Sequence, residues 1–271
     1  GGNGPKRGVT ARTGTVYSGA GGGYNHQGGK AMRTGWLVMM ALGVLGGGAA
    51  DAGGPAREED ARWAQRRQAM VRQVREYGVT NPAILAAMGK VRRHVFIPES
   101  YRSFEDAYAD CPVPIGHRQT ISQPFIVAYM TDKLNPRAGE RVLEVGTGSG
   151  YQAAILAELG AETYTIEIVP DLAAHARTVL AAEGYGGVSV RTGDGHAGWP
   201  EAAPFDAIVV TCAPHDVPPE LVRQLKDGGR MVIPVGGICQ RLVILRKRGG
   251  RVEVEEDLPV RFVPMTRALP G

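Results

Sequence analysis

The sequence predicts an α/β fold, a doubly wound and mostly parallel sheet with helices on both faces. Three observations predict it. Strand-like and helix-like stretches alternate across the C-terminal two thirds of the chain. The apolar stretch Val142-Leu143-Glu144-Val145 runs into three glycines at alternate positions, Gly146, Gly148 and Gly150, and then into a helical stretch. An acid, Glu167, closes the next strand 21 residues after Gly146.

Residues 58 to 77 repeat Trp63, Met70, Val71, Val74 and Tyr77 at helical spacing, with Gly78 as the stop. A short helix from Pro82 to Met88 follows Asn81 as its cap. Residues 91 to 123 are rich in prolines and turns and show no long period. A connection of that length inside a folded domain is usually functional. Strands are predicted at 141–146, 162–168, 188–193, 205–212, 229–235 and 240–247, with an extended region from 251 to 265. The helices fall at 124–134, 150–159, 170–183 and 218–226. In such sheets a ligand sits beyond the C-terminal ends of the strands, where the strand order reverses.

The first 57 of the 271 residues stand apart, holding 18 of the 39 glycines and six Lys/Arg against Asp51 alone. That segment carries +5, so with +4 for the whole chain residues 58 to 271 carry −1. The excess positive charge therefore lies outside the expected domain, and a nucleic-acid footprint on it is not indicated. Within the segment, Met32-Arg33, the apolar run Trp36 to Leu45 and the small residues up to Ala52 resemble a secretory signal over 32–52. The run is too short for a bilayer span, and no stable membrane association is expected. The competing reading is a disordered Gly-rich extension over 1–57. The folded domain is expected over 58–271, with 58–135 as its helical and substrate-loop portion. Cys111, Cys212 and Cys239 are three in number with no C-x-x-C spacing, which suits free thiols, and the six histidines form no metal-ligand pattern.

The glycine spacing is G-x-G-x-G, and Tyr151 occupies the position where a dinucleotide fingerprint carries its third glycine. S-adenosylmethionine (SAM) is then a better ligand than a dinucleotide. Glu167 is placed to accept from both ribose hydroxyls. Asp194, in Thr192-Gly193-Asp194-Gly195, has two readings, an acceptor for the adenine amino group or a plain turn carboxylate. Gly195 would let the adenine ring approach the backbone. Asp206 opens a strand and is expected to be structural.

Ile115-Gly116-His117-Arg118-Gln119-Thr120-Ile121-Ser122-Gln123-Pro124, the glycine loop, Gly193-Asp194-Gly195, Pro204 to Ile208 and Gly228 to Gly236 together closely resemble the protein-L-isoaspartate (D-aspartate) O-methyltransferase family. The resemblance runs from about residue 60 to about residue 265. It implies a Rossmann-like SAM-dependent methyltransferase fold. The implied substrates are damaged proteins and peptides carrying L-isoaspartyl residues, with D-aspartyl residues also in the family's name. The free carboxylate would be methylated and repair would proceed through a succinimide. Residue by residue, it implies Ser122 as the catalytic residue, with Thr120, Val263 and Thr266 beside the substrate. It implies cofactor contacts from Gln119, Thr120, Ile121, Gly146, Thr147, Gly148, Gly150, Glu167, Asp194 and Gly195. Arg118 departs from the pattern, standing where many members carry glycine.

A substrate carboxylate has an ordinary pKa near ~4 and is ionised at neutral pH, so it needs no general base. His117 is therefore not expected to act as one. Ser122 has a second local reading as the N-cap of the 124–134 helix. Trp199 and Tyr151 are expected in the core or at the rim. Two other functions compete. A small-molecule methyltransferase of the same fold should lack Thr120-Ile121-Ser122-Gln123-Pro124, and a non-catalytic SAM-fold binding module should show a damaged glycine loop. Cytoplasmic location follows from cofactor supply, with export through 32–52 as the alternative.

Overall fold

In the computed structural model, which describes residues 55–267, the chain opens on two helices, α1 (Pro55–Glu76) and α2 (Pro82–Lys90). Trp63, Met70, Val71 and Val74 are buried as their spacing requires. Tyr77 is not: it is exposed and stands edge-on to Phe125. The helix expected from 58 starts three residues earlier, and the readings for the preceding glycine-rich segment fall on residues outside those described. Asn81 caps α2 as expected, its side chain accepting from the Ala83 N–H at 3.0 Å.

The region from 91 to 123 contains two short 3₁₀ turns and a hairpin, β1 (Val113–Gly116) with β2 (Gln119–Ile121), antiparallel. Helix α3 (Pro124–Leu134) follows and ends on Asn135 in the left-handed conformation. Then come β3 (Arg141–Val145), α4 (Tyr151–Glu158), β4 (Glu162–Glu167), α5 (Pro170–Ala182), β5 (Ser189–Thr192), β6 (Phe205–Val210), α6 (Pro219–Gln224), β7 (Leu225–Val235), β8 (Gln240–Arg248) and β9 (Arg251–Val260).

The sheet order is β5-β4-β3-β6-β7-β8-β9, parallel from β5 through β7 and antiparallel across β7-β8 and β8-β9. The central strands β3, β6 and β7 are largely apolar on both faces because both faces are covered. Val142, Ala207, Val209 and Val232 pack with Met130 and Leu134 of α3, while Leu143, Val145, Ile208, Val210, Met231 and Ile233 pack with Leu221 of α6. Strand β7 begins at Leu225, four residues before the expected 229, because Leu225 already pairs with Phe205 ahead of a register shift. The extended region expected to 265 is strand only to Val260. Asp206 is structural as read, accepting from the Arg141 N–H at 3.0 Å and from Lys226 Nζ at 2.8 Å. Among the described residues no helix is long and apolar enough to cross a membrane.

Candidate active site

The chain runs from β3 outward to β4 and β5, then returns to β6 on the other side of β3. A cavity lies at the C-terminal ends of these strands, at that switch point. Its floor is the glycine turn. Gly146 has φ +98°, and a Cβ there would stand 2.5 Å from Thr211 Oγ1, so no other residue fits without movement.

Glu167, at the end of β4, is buried and fixed by two backbone donors. Its Oε2 accepts from the Gly148 N–H at 2.7 Å and its Oε1 from the Val169 N–H at 3.0 Å. Each oxygen keeps a second lone pair for a ligand hydroxyl. Beside it lies a residue the family resemblance did not single out. Glu144 is fully buried within β3 and lines the cavity. Thr165 Oγ1 donates to its Oε2 at 2.6 Å, which leaves Thr147 Oγ1 to donate to Thr165 at 2.7 Å. Glu144 Oε1 is buried with no partner. Burial pushes this carboxyl up to about 8; the Thr165 hydrogen bond opposes the rise and the neighbouring Glu167 adds to it. The signal was present in the sequence, as a charged residue inside an otherwise apolar strand.

The β1–β2 hairpin and the residues after it form one wall. Gln119, Thr120, Ile121 and Ser122 line the cavity, and a Cβ on Gly148 would meet Ile115 Cδ1 at 3.4 Å. Ser122 does not cap α3. The cap position is Gln123, whose side chain makes no capping bond, and the orphan N–H of Phe125 is taken by Asp110 Oδ1 at 2.7 Å. Gln123 Nε2 holds the other oxygen of Asp110 at 3.3 Å. The Ser122 hydroxyl thus keeps no hydrogen bond among the described residues and is free at the cavity. An Asp110→Ala variant is expected to lose about 1 kcal/mol in chemical denaturation, the usual worth of a helix cap.

The opposite wall comes from the end of the chain. Ala213, just past β6, accepts from the Met265 N–H and donates its own N–H to Val263 O, both at 2.8 Å. This pairing sets Val263, Pro264, Met265 and Thr266 on the cavity. Cys212 also lines it, but burial, with Glu167 and Glu144 nearby, pushes its thiol up to about 12, so it stays protonated at neutral pH. The lining residues include Glu144 and Glu167 and no lysine, arginine or histidine among the described residues.

Of the site residues read from the sequence, Gln119, Thr120, Ile121, Ser122, Gly146, Thr147, Gly148, Glu167, Gly195, Val263 and Thr266 converge on this cavity. Gly150 and Asp194 are not among its lining. Gly150 opens α4 at φ +90°, where a Cβ would press on Ala176 and Leu180 of α5 at 3.3 Å, so its task is helix packing. Asp194 Oδ1 accepts from the His196 N–H at 2.8 Å and from its ring at 2.9 Å. Burial alone would raise the Asp194 carboxyl, but these bonds and Arg267 hold it below its usual range. Only its other oxygen is left for a ligand. His117 lies outside the cavity lining, on the exposed hairpin tip, with Asp171 Oδ2 3.5 Å from its Nε2. Tyr151 is buried under the Arg93 guanidinium, and Trp199 packs on Tyr164.

The residues present suit a nucleoside-bearing sulfonium. The turn excludes side chains, Glu167 faces the cavity, and an unpartnered carboxyl oxygen lies in its wall. Fold and site together define the Rossmann-like class of SAM-dependent methyltransferases. Residues 65–269 match the family model described as Protein-L-isoaspartate(D-aspartate) O-methyltransferase (PCMT). The chain is 54% identical over 200 residues to the protein-L-isoaspartate O-methyltransferase of Gloeobacter violaceus, covering 73% of this chain and 97% of that protein. It is 54% identical over 236 residues to the enzyme of the same name from Opitutus terrae, covering 86% and 98%. Among solved structures, a protein-L-isoaspartate O-methyltransferase superposes with TM-score 0.67 at 28% identity, over 73% of this chain and 65% of that one. A Plasmodium falciparum structure in complex with S-adenosyl-L-homocysteine, at 23% identity and TM-score 0.67, shares the fold. The chain belongs to the protein-L-isoaspartate(D-aspartate) O-methyltransferase family.

Proposed function

We infer that this chain transfers the methyl group of SAM to the free carboxylate of L-isoaspartyl residues in damaged proteins and peptides. The observation that carries the reading is the free Ser122 hydroxyl, set on a cavity whose lining has no lysine, arginine or histidine among the described residues. A carboxylate substrate needs none of the three as a base, because it is already ionised at neutral pH.

SAM supplies an electrophilic methyl, so the O–C bond forms as the C–S bond breaks and the electron pair passes to sulfur. The protein's part is to hold and to dry. Glu167 accepts from the ribose hydroxyls, and the glycine turn lets the cofactor lie against backbone. Gln119, Thr120 and Ile121 would border it, and Gly195 would offer its backbone to the adenine, its missing Cβ giving way to Val145 and Met265. Ser122 donates to one oxygen of the substrate carboxylate and orients the other, forming no covalent bond. Thr120, Val263 and Thr266 flank the peptide. Excluding water from an anion and a cation held in line supplies most of the acceleration. On cofactor supply, the compartment that suits this chemistry is the cytoplasm.

The test uses methyl-labelled SAM and two peptides of one sequence, carrying L-isoaspartate or normal L-aspartate. Base-labile label on the isoaspartyl peptide alone is the expected result, and equal label or none on both would overturn the reading. Ser122→Ala is expected to lower kcat/KM for the peptide roughly 10-fold, the worth of one hydrogen bond to a charged group. Calorimetry should find SAM affinity unchanged in that variant.

A further inference from the structure

We propose that Arg118 is a specificity residue, receiving a substrate carboxylate next to the isoaspartyl residue and giving this enzyme a preference for acidic flanking sequence. The inference rests on the activity inferred above.

Strain is the first observation. His117 and Arg118 are the two central residues of the hairpin turn, between the paired Gly116 and Gln119, and both have positive φ, +49° and +59°. A two-residue turn of that kind favours Asn-Gly, because side chains with a Cβ are strained there. A bulky cation is thus held where glycine would sit at lower free energy. Strain of this sort persists at functional positions when something else is gained.

The second observation is what each residue touches. His117 turns toward Asp171 on α5, with Nε2 and Oδ2 3.5 Å apart. Arg118 is exposed and has no hydrogen-bond or ion-pair partner among the described residues. Its charge is uncommitted at the hairpin tip.

The third is position and charge. Arg118 is bonded to Gln119, and Gln119 and Thr120 line the cavity, while Arg118 does not. Consecutive Cα atoms lie about 3.8 Å apart, so the Arg118 backbone adjoins the cavity's lining while the residue itself stays outside it. The carboxylate it meets is therefore not the one that is methylated. Inside the mouth the carboxylate of Glu167 by itself disfavours an acidic peptide. A cation at the rim reverses that bias for residues that stay outside.

The test compares two isoaspartyl peptides that differ only in having glutamate or lysine on both sides of the isoaspartyl residue. Each is assayed with wild type, Arg118→Gly and Arg118→Lys at low and high salt. Wild type should show a lower KM for the glutamate peptide. Arg118→Gly should raise that KM about three- to five-fold, the worth of an exposed ion pair. It should leave the KM for SAM unchanged and should not lower the thermal midpoint, since glycine relieves the turn. Arg118→Lys should keep most of the preference, and high salt should compress it. An equal KM for the two peptides in wild type, or a preference that survives in Arg118→Gly, would overturn the proposal. Methylation of neither peptide by wild type would instead sink the activity reading, and this inference with it.

Discussion

Replacing Glu167 by glutamine is expected to weaken SAM binding roughly 100-fold, the loss of two charge-assisted hydrogen bonds to the ribose. The substitution also disturbs the floor. Glu167 accepts from the Gly148 and Val169 N–H groups through separate oxygens, and a carboxamide can accept through only one atom. One backbone donor is then left facing an NH₂ group. Isothermal calorimetry with SAM measures the first effect and denaturation of the ligand-free protein the second. Wild-type affinity in the variant would remove Glu167 from the cofactor site.

Glu144→Gln is expected to change how stability depends on pH. The folded carboxyl is pushed up to about 8 from an ordinary 4.5, chiefly by burial. The folded state therefore holds its proton at pH values where the unfolded chain has lost it. Stability is full below about 4.5 and declines as pH rises toward about 8, at most on the order of 1 kcal/mol per pH unit. Glutamine cannot ionise, so the variant should lack this decline and be the more stable protein at pH 8. Guanidinium titrations of both proteins from pH 5 to 8 measure the difference. Parallel curves across that range would show that Glu144 is not held protonated.

Most of the sheet was legible because its strands are short apolar runs separated by helical periods, and both periods are properties of local sequence. The glycine turn under the cavity was legible for a different reason: positive φ, and at Gly146 a space that tolerates no Cβ, must be written in glycines. Gly150 shows the limit of that reasoning. It has the same spacing as its neighbours, yet it serves the contact with Ala176 and Leu180, residues of α5 that only the fold brings near. The hairpin escaped detection because its strands are too short to show alternation and its turn, His117-Arg118, lacks the usual glycine or asparagine. Asp110 was invisible as a helix cap because it lies 15 residues from the N–H it satisfies. Local sequence offered Ser122 for that task, and the distant carboxylate took it.

The cavity's lack of built-in positive charge bears on turnover. During methyl transfer, anion and sulfonium cancel each other, and what remains at the reacting centres is an ester and a thioether, both neutral. The attraction that drew the two substrates together vanishes with the reaction, and among the described residues the cavity lining holds no arginine or lysine against the new ester that would have to be pulled away. The products depart without a charge pair to break at the reacting centre, and what still holds the spent cofactor is its nucleoside half.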